Sequence, residues 1–157
     1  MSVLNDEMKQ VVERVRLAFV ATVCPDGTPN VSPKGTLCAL DDEHLVFAEI
    51  RSPGTIANLR VNPNVEVNVV DSFSRKGYRF KGTAVVHERG AAFDDFVSFF
   101  IRRKLPDAQR RIKSVVVIRV ASARALISPG YDQGATEADM TAQWKQYYLG
   151  QDLTTAR

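Results

Sequence analysis

The chain has 157 residues, 45% of them apolar and 25% charged, with a formal net charge of +3. That length suits one domain over residues 1–157 with a single core, and no charge block or low-complexity tract marks disorder. The longest apolar stretches are far short of a membrane span, and the opening Met1-Ser-Val-Leu-Asn-Asp-Glu-Met8 carries no signal-peptide pattern, so a soluble cytoplasmic protein with no membrane partner is expected.

The elements follow in chain order. Val3 to Arg16 predicts an amphipathic helix, with Leu4, Met8, Val11, Val12 and Val15 along one face. Leu17–Val23 reads as a strand, and Pro25-Asp-Gly27 as a turn. Thr28 to Leu40 returns as a second strand, interrupted by Pro33 and Gly35. Pro33 withholds a ladder donor and Gly35 packs nothing, so this is an edge or bulged strand, with or without a ligand against its backbone. Asp41–His44 turns into a third strand at Leu45–Ile50. Further strands are expected at Val65–Val70, Tyr78–Val86 and Ser114–Ala121, the last extended by Arg124–Ile127. A helix with an apolar face is expected over Ala91 to Lys104, ending before Pro106. Ser128–Gly134 is turn-rich, and Thr136 caps a last helix to Leu149. Its Trp144 and Tyr147-Tyr148 either dock the helix or cover a ligand ring.

Between the third and fourth strands lies the most informative segment, Arg51-Ser-Pro-Gly-Thr-Ile-Ala-Asn-Leu-Arg-Val-Asn-Pro-Asn64. It reads as one helix a little over two turns long. Ser52 is a good N-cap, Pro53 suits the first helical position, and Ile56 and Leu59 are spaced to face a core. Gly54 lets another group approach the backbone. The N–H groups of Gly54, Thr55 and Ile56, the Thr55 hydroxyl and the positive dipole end form a phosphate seat. The same features also describe an ordinary capped connector.

Taken together, Phe19-Val-Ala-Thr-Val23 before Pro25-Asp-Gly27, Pro29-Asn-Val-Ser-Pro-Lys34, and Thr55-Ile-Ala-Asn-Leu59 followed by Asn62-Pro63 resemble the pyridoxamine 5'-phosphate oxidase-like family of FMN-binding split barrels. The resemblance covers Leu17 to Ser128. It implies a mainly β (α+β) fold, a six-stranded split β-barrel with flanking helices, with a core at about 17–128 and a C-terminal turn and helix at 129–157. It also implies a flavin at a homodimer interface, its phosphate held by the second strand and the short helix, which places Ser32, Lys34, Thr55 and Asn58 near FMN. Several members carry a Lys or Arg directly before the helix threonine. Here that position is Gly54, so Lys34, Arg51 or Arg60 must supply the cation. A homodimer is expected on physical grounds too. A small barrel is filled by its own side chains, so a three-ring ligand sits outside, where a second subunit covers it. Strands Val65–Val70, despite Glu66 and Asn68, and Val115–Val120 are apolar on both faces.

Other chemistry is excluded by what the sequence lacks. Cys24 and Cys38 are the only cysteines and form no close pair, and His44 and His87 fall in separate turns, so no metal site is expected. There is no nucleophile–base arrangement, dinucleotide fingerprint or P-loop. Arg102–Lys104 and Arg110–Lys113 are basic, but the neighbouring Phe93, Phe96, Phe99 and Phe100 have helical spacing, which marks a packed face and no nucleic-acid platform. A flavin carries hydride and electron transfer itself, so an oxidoreductase needs no catalytic triad. Pyridoxamine phosphate oxidation would need a second phosphate site with several basic residues and a family-like C-terminal substrate segment, and the tail does not resemble that segment. The expectation is an FMN-dependent oxidoreductase of unknown small-molecule substrate. The alternatives are a non-catalytic flavin-binding or electron-transfer protein, and a deazaflavin- or haem-binding relative.

Overall fold

The computed structural model describes residues 3–105 and 107–150. Pro106, read as the stop of the second long helix, and 151–157 of the tail lie outside them. The first helix, α1 (Asp6–Val15), starts later than its apolar periodicity suggests. Val3 and Leu4 N–H groups donate to the Asp42 carbonyl at 3.1 and 2.9 Å, which holds this entry extended. Asn5 then caps the helix through the Met8 N–H, and Arg16 ends it in the left-handed region.

The strands are β1 (Ala18–Val23), β2 (Pro29–Lys34), β3 (Cys38–Ala39), β4 (His44–Glu49), β5 (Asn64–Val70), β6 (Lys76–His87) and β7 (Ser114–Ile127). Helix α2 (Pro53–Val61) follows β4, while α3 (Ala91–Arg102) and α4 (Ala108–Arg111) lie between β6 and β7. A 3-10 turn (Pro129–Gln133) leads to α5 (Glu137–Leu149). All strands join one antiparallel sheet in the order β2-β1-β5-β6-β7-β4-β3.

Seven strands stand where six were expected, because the run Thr28–Leu40 divides. After Lys34 the chain leaves one edge of the sheet and enters the other, with only Gly35, Thr36 and Leu37 between. Six steps of about 4.8 Å would set the edges of a flat sheet about 29 Å apart. Lys34 to Cys38 can span at most about 14 Å. The sheet is therefore curled into a split barrel. Thr36 seals the join: its hydroxyl donates to the Ala48 carbonyl at 2.8 Å and accepts from the Ala48 N–H at 3.1 Å.

Inside the curl, Val20, Leu45, Phe47, Val67, Val69, Phe80, Val116 and Ile118 pack with Leu4, with Val12 of α1 and with Ile56 and Leu59 of α2. A second cluster covers the outside of β3, β4 and β7 with Phe100, Ala108 and Ile112. The face of α3 predicted to be apolar is only partly covered, with Phe100 its one buried side chain. Strand β5 proves one-sided: Val65, Val67 and Val69 point in, and Glu66 and Asn68 alternate with them.

Helix α5 docks on the body. Thr136 and Asp139 form a capping box. The Arg75 guanidinium lies 3.5 Å from the Trp144 ring centre and donates to the Tyr148 hydroxyl at 3.0 Å, so the β5–β6 turn is gripped by the aromatic side of α5. Among the described residues no helix is long and apolar enough to cross a membrane.

Candidate cofactor site

Register decides which way the interrupted strand aims its side chains. Lys34 lies opposite Ala18 and Ser32 opposite Val20, and both partners are fully buried, so Ser32 and Lys34 point into the barrel. Lys34 is 5% exposed. Its Nζ donates to Ser32 Oγ at 2.5 Å and to Ser52 Oγ at 2.8 Å, and sits 5.5 Å from the Phe47 ring centre. Glu49, at the end of β4 and 3% exposed, accepts from the Ser52 N–H and from Ser52 Oγ. The result is a buried chain from ammonium through hydroxyl to carboxylate. Burial lowers the Lys34 pKa below its ordinary value, and the Glu49 charge opposes that shift.

This chain changes the start of α2. Ser52 occupies the N-cap position, yet its hydroxyl is diverted to Lys34 and Glu49 and makes no cap bond. The Ile56 N–H, expected to be free, donates to the Ser52 carbonyl at 3.4 Å, so it belongs to the first helical turn. The amides of Gly54 and Thr55 still precede any intrahelical acceptor. Thr55 is 1% exposed, and its Oγ1 is buried with no hydrogen-bond partner. A Cβ at Gly54 would meet nothing within 4 Å, so the space beside Gly54 is open.

Ser32, Lys34 and the start of the helix that carries Thr55 are thus brought together. Asn58 instead braces α2 against β1, since its Nδ2 donates to Thr22 Oγ1 at 3.0 Å and to Cys24 Sγ at 3.5 Å. Of the cations that could replace the residue absent at Gly54, Arg60 pairs with Glu88 and Lys34 is committed to the serines. Arg51 is exposed, directly precedes Ser52, and has no ion pair among the described residues. Sequence reasoning missed Glu49. Its signal was a lone acid closing the apolar run Leu45–Ile50.

A family profile described as pyridoxamine 5'-phosphate oxidase matches residues 4–127. The chain belongs to the pyridoxamine 5'-phosphate oxidase family. An uncharacterized protein, MJ0282 of Methanocaldococcus jannaschii, is 30% identical over 89 residues, which is 55% of this chain and 58% of that relative. The match thus spans little more than half of the relative's length. HupZ from Group A Streptococcus is 31% identical, with a TM-score of 0.70 over 80% of this chain and 95% of that one. An FMN-binding protein from Syntrophomonas wolfei shares the fold at 16% identity, with a TM-score of 0.59 over 76% of this chain and 88% of that one. Every residue of the candidate site lies inside the segment matched to the pyridoxamine 5'-phosphate oxidase family, whereas α5 lies beyond it.

Proposed function

We propose that this chain binds FMN, with its phosphate at the start of α2, and serves as an oxidoreductase for a small molecule. The observation that carries the reading is the Thr55 hydroxyl, buried without a partner beside two amides that no side chain caps. A phosphate there would satisfy all three donors and face the positive end of the helix. Arg51 would add charge from the exposed side. Lys34, Ser52 and Glu49 hold the entry to α2 in place, and Asn58 fixes its far turn on β1. Bound FMN supplies hydride or single-electron transfer, so the protein needs only to hold and shield the ring. The FMN-binding protein of the same fold agrees with this ligand.

FMN titrations test the site. A charge-assisted phosphate contact is worth about 1.5–3 kcal/mol, so Arg51→Ala should weaken FMN binding about tenfold to a hundredfold, and Thr55→Val should weaken it as well. Riboflavin, which has no phosphate, should bind far more weakly than FMN in low salt. Unchanged FMN affinity in both variants would sink the assignment. Turnover of reduced nicotinamide by the FMN-loaded protein separates an enzyme from a flavin carrier.

The reading includes a homodimer. On the open side of the sheet β1 and β2 expose Phe19 (48%) and Val31 (60%), an apolar patch suited to a second copy and a flavin ring between them. Light scattering should give twice the chain mass at micromolar concentration. A monomer that binds FMN tightly would mean that one subunit completes the pocket.

A further inference from the structure

On the outer face of the sheet, opposite the side that carries Lys34 and α2, a cleft of about 180 Å³ is lined by Arg79, Lys81, Ser122 and Arg124. Tyr78 and Phe80 point inward, so Arg79 and Lys81 between and beside them point out. The β6–β7 register sets Arg79 directly opposite Arg124 and Lys81 directly opposite Ser122. Glu66 on β5 accepts from Arg79 Nε at 2.9 Å and from Lys81 Nζ at 3.2 Å. Arg124 has no ion pair among the described residues. Two cations therefore share one carboxylate, and the third has none.

Like charges placed directly across a strand pair cost stability. The Arg79–Arg124 pairing is such a case, and a neutral residue at either position would relieve it. The backbone is adapted at the same place. The register shift in the β6–β7 ladder falls at Lys81/Gly82, where Lys81 faces Ser122 but Gly82 faces Val120. Ala121 is the extra residue of this bulge. Bulges re-aim side chains, and this one brings Ser122 beside Lys81 on the cationic face. Gly82 is required there, because a Cβ would lie 2.1 Å from the Arg119 carbonyl oxygen.

We propose that this cleft is a second anion site, which takes the phosphoryl group of a small molecule. Guanidinium groups present paired N–H donors that match an oxyanion, and Lys81 and the Ser122 hydroxyl complete a ring of donors. Pockets that enclose a whole ligand start at roughly 300 Å³, so this cleft holds a charged group and leaves the rest of its bearer outside. The site shares no residue with the α2 seat and lies on the opposite face of the sheet from it, two strands away from the Phe19 patch that is exposed on the same outer face.

The test is a titration of the protein with inorganic phosphate at low ionic strength, read at the arginine Nε–H resonances and by thermal melting. The Arg124 resonance should shift saturably. Arg124→Gln should melt higher than the parent in phosphate-free buffer, because a repulsion is gone, and should lose the phosphate-dependent gain in melting temperature at this site. Thr55→Val should keep the Arg124 response, which separates this cleft from the α2 seat. Acetate in place of phosphate distinguishes the ligand chemistry, and saturation by acetate alone would overturn the phosphoryl assignment. The proposal also fails if the Arg124 resonance does not saturate, or if Arg124→Gln melts no higher than the parent. It fails equally if that variant loses its dimer without any phosphate response, since the cluster would then serve a carboxylate of the second copy.

Discussion

Lys34→Met should cost about 2–4 kcal/mol of folding stability, because the substitution keeps the stem and removes only the ammonium. Breaking one side of a buried charge arrangement costs about 3–5 kcal/mol, and here Glu49 retains its bonds from Ser52, which moderates the loss. The double variant Lys34→Met/Glu49→Leu should recover most of it, since neither charge is then stranded. Urea melts of the four proteins of this cycle measure the coupling. Equal midpoints for the parent and Lys34→Met would show that Glu49 does not need the ammonium. The pH dependence has a definite sign. Burial holds the Lys34 pKa below 10.5, so between its folded value and 10.5 the unfolded chain binds more protons than the folded one. Stability contributed at this position should therefore rise with pH across that window, and the rise should vanish in Lys34→Met.

Gly77→Ala should be at least as damaging, at about 3 kcal/mol, the upper end of what overpacking usually costs. A Cβ there would lie 1.9 Å from the Val69 carbonyl oxygen and 2.7 Å from Val70 Cα, and both are backbone atoms that cannot rotate away. Gly77 sits between Val70 of β5 and Leu126 of β7, so the disturbance spreads to two ladders. Gly54→Ala is the matched control. Its Cβ enters open space, and its stability should stay within about 0.5 kcal/mol of the parent. A Gly77→Ala protein that melts with the parent would mean that β5 and β6 part without penalty.

The frame of the molecule was legible because its signals are local. Short apolar runs marked β1 and β4, the Ser-Pro-Gly-Thr start and Ile56/Leu59 spacing marked α2, and Thr136 marked α5. Pro33 and Gly35 announced an irregular strand, but whether it kinked or changed edges depended on the closure of the whole sheet. The site was readable as a region and less so in its wiring. That Ser52 would leave the helix N–H groups for Lys34 follows from Glu49 arriving beside it, which no spacing in the sequence encodes. The confrontation of Arg79 with Arg124 depends on the register of two strands separated by α3 and α4, and on a bulge that no Gly-Asx signal marks.

The two edges of the sheet, joined only by Gly35–Leu37, also fix an order of events during folding. Three hairpins, β1–β2, β3–β4 and β5–β6, pair neighbours in sequence and close over short loops. Joining them needs distant encounters, Ala18 with Val69 and Leu45 with Ile118, which raise the contact order and slow the search. Lys34 belongs to one hairpin and Ser52 follows another, so their bond needs both hairpins to have met. The start of α2 is accordingly completed only after the hairpins themselves have formed. If FMN binds at the seat proposed above, it stabilises the closed barrel, and its uptake during refolding should lag the first signals from secondary structure.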